Sequence, residues 1–177
     1  LRHMGMQGGE RVLEPSMGIG NFFGMMPQDL RKGSARTGVE LDPLTGGIAK
    51  LLYPGSNVHV AGFEETTIPS NFFDVAVGNV PFGNYPVHDP KYPGFITRSI
   101  HNYFFAKSLD AAREGGVVAF ITSSYTMDGT NEQMRQYLAD RGDLMGAIRL
   151  PHNAFKENAG TQVTTDIIFI RKRAPGT

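Results

Sequence analysis

The chain has 177 residues with 17 Lys+Arg against 17 Asp+Glu, so its formal net charge is zero and bulk positive charge is excluded as its grip on nucleic acid. Cysteine is absent, which removes disulfides, zinc–thiolate sites and thiol nucleophiles together and agrees with a reducing compartment. The length suits one domain with a full core, no run approaches ~20 apolar residues, and the first residues lack a signal-peptide layout.

Apolar β-rich runs alternate with helical stretches, the pattern of an α/β sheet. Leu1–Met6 reads as the end of a helix. Arg11–Glu14 predicts a short strand. Asn21–Leu30 predicts a helix that Pro27 interrupts. A second strand follows at Thr37–Leu41, a helix at Leu44–Tyr53 stopped by Pro54-Gly55, and a third strand at Asn57–Ala61. Asp74–Val77 is apolar enough for a strand buried on both faces. Gly78–Thr97 is rich in Gly, Asn, Pro and Tyr and predicts a long loop, of a length that is usually functional or disordered. Ile100–Arg113 has helical spacing and is expected to stop at Gly115-Gly116. Val117–Thr122 is the fifth strand, Asn131–Arg141 a charged helix, Leu144–Leu150 the sixth strand and Thr164–Arg171 the seventh. The run Arg171-Lys172-Arg173 before Ala-Pro-Gly-Thr predicts a domain spanning 1–173, cut from a larger protein, with a linker starting over 174–177.

Two glycine-bearing clusters follow strands. Glu14-Pro15-Ser16-Met17-Gly18-Ile19-Gly20 lies between the first strand and a helix, where glycines permit a tight turn and close approach of a ligand. The third glycine of a dinucleotide fingerprint is missing, since that position is Phe23. An acid at the strand end would repel a pyrophosphate but suits a cation, and S-adenosylmethionine carries an ammonium and a sulfonium without phosphate. Glu40, ending the second strand beside Leu41, is placed to accept both hydroxyl hydrogens of a ribose. After the third strand, Phe63 is a candidate to stack on an adenine and Glu64 to accept from its amino group.

The second cluster is Asn79-Val80-Pro81-Phe82-Gly83, directly after a buried strand. The pattern suits the holding of a planar amino group. The Asn79 carboxamide oxygen and a main-chain carbonyl at Val80–Pro81 can draw its two hydrogens, and Phe82 offers a stacking face worth roughly 1–3 kcal/mol on comparable platforms. In the loop beyond, Tyr85 or Tyr92 is a candidate for stacking and Lys91 and Arg98 for phosphates. The histidines show no metal spacing, so no metal is expected.

On these residues the sequence resembles the amino-methyltransferases that make N6-methyladenine in DNA, whose hallmark is Asn/Asp-Pro-Pro-Tyr/Phe. The likeness covers nearly the whole chain. Glu14–Phe22 is similar to the family's cofactor motif and Glu40 to its ribose acid. Gly116–Met127 is similar to the strand after the catalytic one. Leu150–Phe155 with Thr164–Lys172 resembles the closing hairpin of type I modification subunits, which by match supplies Phe155 to the base pocket. The motif order is the gamma-like one, most similar to the methylase segment of large helicase–methylase proteins of bacterial mobile elements.

The resemblance implies a Rossmann-like methyltransferase fold, a seven-stranded mostly parallel sheet with an antiparallel last strand. It implies S-adenosylmethionine as cofactor, bound by Glu14, Pro15, Ser16, Gly18, Gly20, Phe22, Glu40, Leu41, Phe63, Glu64 and Asn79. It implies a flipped adenine in DNA as substrate, with Asn79, Pro81 and Phe82 catalytic and Val80, Phe82, Tyr85, Phe155, Lys91 and Arg98 on the substrate. DNA is expected to be gripped largely by other domains of the parent chain, inside the bacterial cytoplasm and without a membrane. Val80 departs from the hallmark proline, and its restored N–H is expected to loosen the backbone there. Alternatives remain at this point: a binding module without turnover, an enzyme acting on a protein glutamine or RNA amine, and a nicotinamide oxidoreductase disfavoured by Phe23 and Glu14.

Overall fold

Alternation along the strands divides the apolar residues between two sheet faces. In the computed structural model, which describes residues 1–83, 85–130, 132–151 and 164–176, Val12, Val75 and Val77 face Phe23, Met26 and Leu30. Leu13, Ala76, Val118 and Phe120 face Tyr103, Phe105 and Leu109 on the other side.

The strands are β1 (Arg11–Glu14), β2 (Ala35–Glu40), β3 (Asn57–Val60), β4 (Phe73–Asn79), β5 (Ala112–Ser123), β6 (Gly142–Arg149) and β7 (Thr165–Lys172). They form one sheet in the order β3-β2-β1-β4-β5-β7-β6. β1 to β5 pair in parallel, and β7 runs antiparallel to both β5 and β6. The seven-stranded architecture with an antiparallel last strand is therefore as expected. β4 sits between β1 and β5 with most of its length buried, as its apolar run requires.

The helices are α1 (Asn21–Met25), α2 (Gln28–Arg31), α3 (Pro43–Leu52), α4 (Gly94–Thr97), α5 (Ile100–Ala111), α6 (Tyr125–Asp128) and α7 (Glu132–Ala139), preceded by a 3-10 turn at Arg2–Met4. Pro27 splits the helix expected over 21–30 into α1 and α2. α3 starts on Asp42, whose carboxylate accepts from Thr45 N at 2.7 Å, with Pro43 in the first turn. α4 and α6 are single turns too short to show a period in the sequence.

One boundary differs from expectation for an identifiable reason. Gly115-Gly116 does not stop α5. The helix ends at Ala111 and the chain enters β5 at once, with Ala112 opposite Phe73 and Val117 opposite Val75. Residues 113–116 are the extra length of this bulge. Gly115 takes φ +73°, and a Cβ on Gly116 would lie 2.8 Å from Arg113 O. The glycines mark a bulge rather than a helix stop.

At the amino ends of the strands Asp74 binds Arg11 N (2.8 Å), Arg11 Nε (3.1 Å) and Arg113 Nε (2.5 Å), tying β1, β4 and β5 together. Burial alone would raise this carboxyl, but these donors bring it down to about 2. The opposite, carboxyl edge is left for ligands.

Candidate active site

The strand order places a topological switch between β1 and β4, because the chain runs outward through β2 and β3 before returning to β4. A crevice opens outside the carboxyl ends of strands at such a point. Glu14 ends β1 and Asn79 ends β4, so the two motifs singled out in the sequence flank the crevice. They are 65 residues apart in sequence and on neighbouring strands in space.

The turn after β1 is held by β2. Met17 N donates to Val39 O (2.9 Å), and Gly18 N donates to the Glu40 carboxylate (2.8 Å). The other Glu40 oxygen accepts from Asp42 N at 2.9 Å. Glu40 is thereby fixed in orientation with acceptor capacity left for hydroxyl donors. Gly18 and Gly20 both adopt positive φ, as the turn requires. A Cβ on Gly20 would lie 2.4 Å from Tyr53 Cε2. Gly20→Ala is accordingly expected to lower stability by about 2 kcal/mol and the melting temperature by roughly 4–8 °C. Gly20→Asn, which tolerates the φ value but not the clash, should fail to rescue it in the same thermal scan.

Glu14 is 1% exposed, and one of its oxygens has no hydrogen-bond partner among the described residues. Burial pushes its carboxyl up to about 8, opposed by the main-chain N–H groups of Phe22 and Phe23 and aided by the charge of Glu40.

A cleft of about 370 Å³ opens beside this turn. Its walls include Pro15, Ser16, Glu40, Leu41, Phe63, Glu64, Pro81 and Tyr85, all singled out in the sequence. Sequence reasoning did not assign Val87, His88, Ile100 and Phe104 to it. Ile100 and Phe104 carry only a helical core signal, one turn apart on α5. Phe63 is 3% exposed and packs against Tyr103 and Phe104, so it is a core residue that also lines the cleft. Gly18 and Gly20 form the turn at the cleft rather than its wall, and Phe22 is half-buried against the α1 core.

At the end of β4, Asn79 Oδ1 is buried without a hydrogen-bond partner among the described residues. The backbone after it is not loosened as expected from Val80. The Val80 N–H donates to Ile121 O at 2.9 Å, which extends the β4–β5 ladder by one bond. Val80 is 1% exposed and packs in the core. The valine replaces proline's rigidity by a ladder bond. Phe82 is 44% exposed and tilted towards His101 at 6.3 Å between ring centroids. Burial lowers the His101 pKa.

Of the loop candidates, Tyr85, Lys91 and Arg98 are exposed. Tyr92 is not available for stacking. Its hydroxyl donates to Asp110 (2.8 Å) and its ring packs edge-on against Tyr103. The C-terminal basic run is also largely committed to the fold. Lys172 donates to Asn71, Asp110 O and Ala112 O, and Arg173 pairs with Asp143 at 2.6 Å, leaving Arg171 exposed. Phe155 lies outside the described residues. No group of acidic or histidine side chains suited to a metal occurs among the described residues, and no helix there is long and apolar enough to cross a membrane.

The sequence profile of the Eco57I restriction-modification methylase matches residues 55–155, more than half of the chain. The chain belongs to this family. It is 32% identical over 165 residues to the defense against restriction protein B of Escherichia phage P1, a match over 91% of this chain and 7% of that protein. Among solved structures it superposes on the type I restriction-modification methyltransferase subunit of Streptococcus thermophilus with a TM-score of 0.77. That match is 20% identical and covers 95% of this chain and 40% of the other. The M protein of the type I restriction enzyme EcoKI gives a TM-score of 0.73 at 20% identity, over 96% and 41% of the two chains. The methylase fold is thus established for the family member described here. The chain spans less than half the length of these relatives.

Proposed function

We propose that this methylase domain binds S-adenosylmethionine in the crevice between β1 and β4 and methylates the exocyclic N6 amine of an adenine flipped out of DNA. The observation carrying this reading is Asn79, a buried carboxamide whose oxygen has no hydrogen-bond partner among the described residues, at the end of β4 across the switch point from Glu14. An unpartnered buried acceptor costs about 1–3 kcal/mol and is retained where a ligand completes it.

The residues fit the cofactor. Glu14 offers a carboxylate to a cationic group, Glu40 accepts from ribose hydroxyls, and Glu64 and Phe63 border the adenine end of the cleft. When bound, the cofactor supplies an electrophilic methyl group with a good leaving group. The chain's own task is to hold the amine. An adenine amino nitrogen is a poor nucleophile because its lone pair is conjugated with the ring. Accepting both hydrogens, on Asn79 Oδ1 and the Val80 carbonyl, favours a pyramidal nitrogen with its lone pair directed at the methyl group. Asn79 does not titrate, so it holds the amine equally well across the working pH range. Phe82, exposed beside it, provides the face on which the base stacks.

The test is in two stages. Calorimetry should show binding of S-adenosylmethionine and none of NAD. Radiolabel from the methyl group should then pass to adenine-containing duplex DNA and to no DNA lacking adenine. Transfer only to RNA or to a protein glutamine would reject the DNA substrate, and absence of cofactor binding by the protein would reject the whole reading.

A further inference from the structure

Two of the walls of the cleft belong to segments far apart in sequence. One wall is the turn after β3, residues 61–64, and the other is the loop after β4, residues 85–88. Neither wall is a regular element. Both end on the same buried ion pair, and neither member of that pair lines the cleft.

Lys107, one turn after Tyr103 on α5, donates its ammonium hydrogens to Phe63 O (2.5 Å) and Thr66 O (3.0 Å). The same nitrogen lies 3.9 Å from Asp89 Oδ2, with side-chain exposures of 11% and 6%. It also sits 4.8 Å from the Phe63 ring centroid and 5.7 Å from that of Tyr103. Asp89 Oδ2 accepts from the Tyr103 hydroxyl at 2.6 Å, and Oδ1 from Lys91 N at 3.0 Å. Lys107 therefore holds the turn of the first wall, and Asp89, the residue after His88, holds the second.

We infer that Lys107, with Asp89 and Tyr103, is a positioning group that ties both walls to α5 and so sets the width of the cleft that receives the adenosyl part of the cofactor. This rests on the cofactor reading above. Burial alone would raise the Asp89 carboxyl, but the Tyr103 hydroxyl, the Lys91 N–H and the nearby ammonium hold it below the usual range, while burial lowers the Lys107 ammonium and the Asp89 charge opposes that. Removing the ammonium leaves the Phe63 and Thr66 carbonyls without their donor and the Asp89 carboxylate without its countercharge, and the walls are then free to separate.

Lys107→Met keeps the apolar stem and removes the charge. Calorimetry of the 177-residue chain with S-adenosylhomocysteine and with methylthioadenosine, which lacks the amino-acid end, should show both weakened by the same factor, about 10- to 100-fold. Hydrogen exchange should quicken over 62–66 and 85–91 while β1, β4 and β5 keep their protection. A merely structural role would lower the melting temperature without changing affinity well below it.

Tyr103→Phe keeps the ring packing and removes only one bond to Asp89. It should show the same pattern at about threefold, and it decides the matter if Lys107→Met does not fold. Wild-type affinity in a folded Lys107→Met or Tyr103→Phe chain, or loss of only the amino-acid end's contribution, would overturn the inference. If the unsubstituted chain bound neither ligand, the cofactor reading itself would fall and this inference with it.

Discussion

Asn79→Ala is expected to lower methyl transfer to adenine-containing DNA by about 100-fold or more, the scale seen when one preorganised polar contact to a reacting group is removed. Cofactor affinity should stay within about twofold, because the contacts proposed for the adenosyl group come from Glu40 and the cleft walls. Stability should not fall. The carboxamide oxygen is buried without a partner among the described residues, so deleting it is expected to remove a cost of about 1–3 kcal/mol rather than a favourable contact. A variant of unchanged or raised melting temperature without transfer is the signature of a group kept for chemistry at the expense of stability. Asn79→Asp retains an acceptor in the same place and should keep measurable activity. Single-turnover transfer rates, a thermal scan and calorimetry check the three parts, and full activity in Asn79→Ala would remove the assigned role.

The second large effect is a pH dependence of cofactor binding carried by Glu14. With its carboxyl pushed up to about 8, Glu14 is neutral in the free protein at pH 7. A cation favours the ionised form, so binding should expel a proton. Affinity is then expected to rise up to tenfold per pH unit between about pH 6 and 8, and to level off above. Calorimetry in buffers of different ionisation enthalpy would count the proton released. Glu14→Gln, which cannot ionise, should flatten the profile and weaken binding above pH 8 by about 10- to 100-fold. A pH-independent affinity in the unsubstituted protein would contradict this assignment. Stability of the free protein runs the opposite way. The folded state raises this pKa above its ordinary value of 4.5, so the contribution is fully present below about pH 4.5 and is lost as pH rises through about 8.

Much of the architecture was legible because it rests on local patterns. Pro27 is a chain-local signal, and it acts where expected. The site motifs were legible because they follow strands directly, and the switch between β1 and β4 brings their ends together. What local patterns do not carry is pairing. The Gly115-Gly116 bulge depends on the register of β4 against β5, and the same letters also suit a helix end. The Val80 N–H gains its partner from Ile121, 41 residues away, so its departure from proline was misread as slack. Tyr92, Lys172 and Arg173 look like surface groups by type, yet Asp110, Asn71 and Asp143 engage them from distant elements. Lys107 was missed for the same reason, since a lone lysine in an apolar helix gives no hint of the two loops it holds.

The place of β7 has a consequence for how the chain reaches this state. β7 lies between β5 and β6, so among the described residues β6 is bonded to no other strand, yet β7 is the last of the described strands in sequence. During synthesis β6 emerges with no place in the sheet, and β5 presents an open apolar edge until residues 165–172 arrive. The parallel β1–β5 unit can assemble first. Closure then waits for the final strand to insert between two that precede it, a non-local step that is slow and exposes strand edges meanwhile. A chain shortened before Thr165 would lose two strands from the sheet rather than one, and is expected to aggregate rather than fold to a smaller domain.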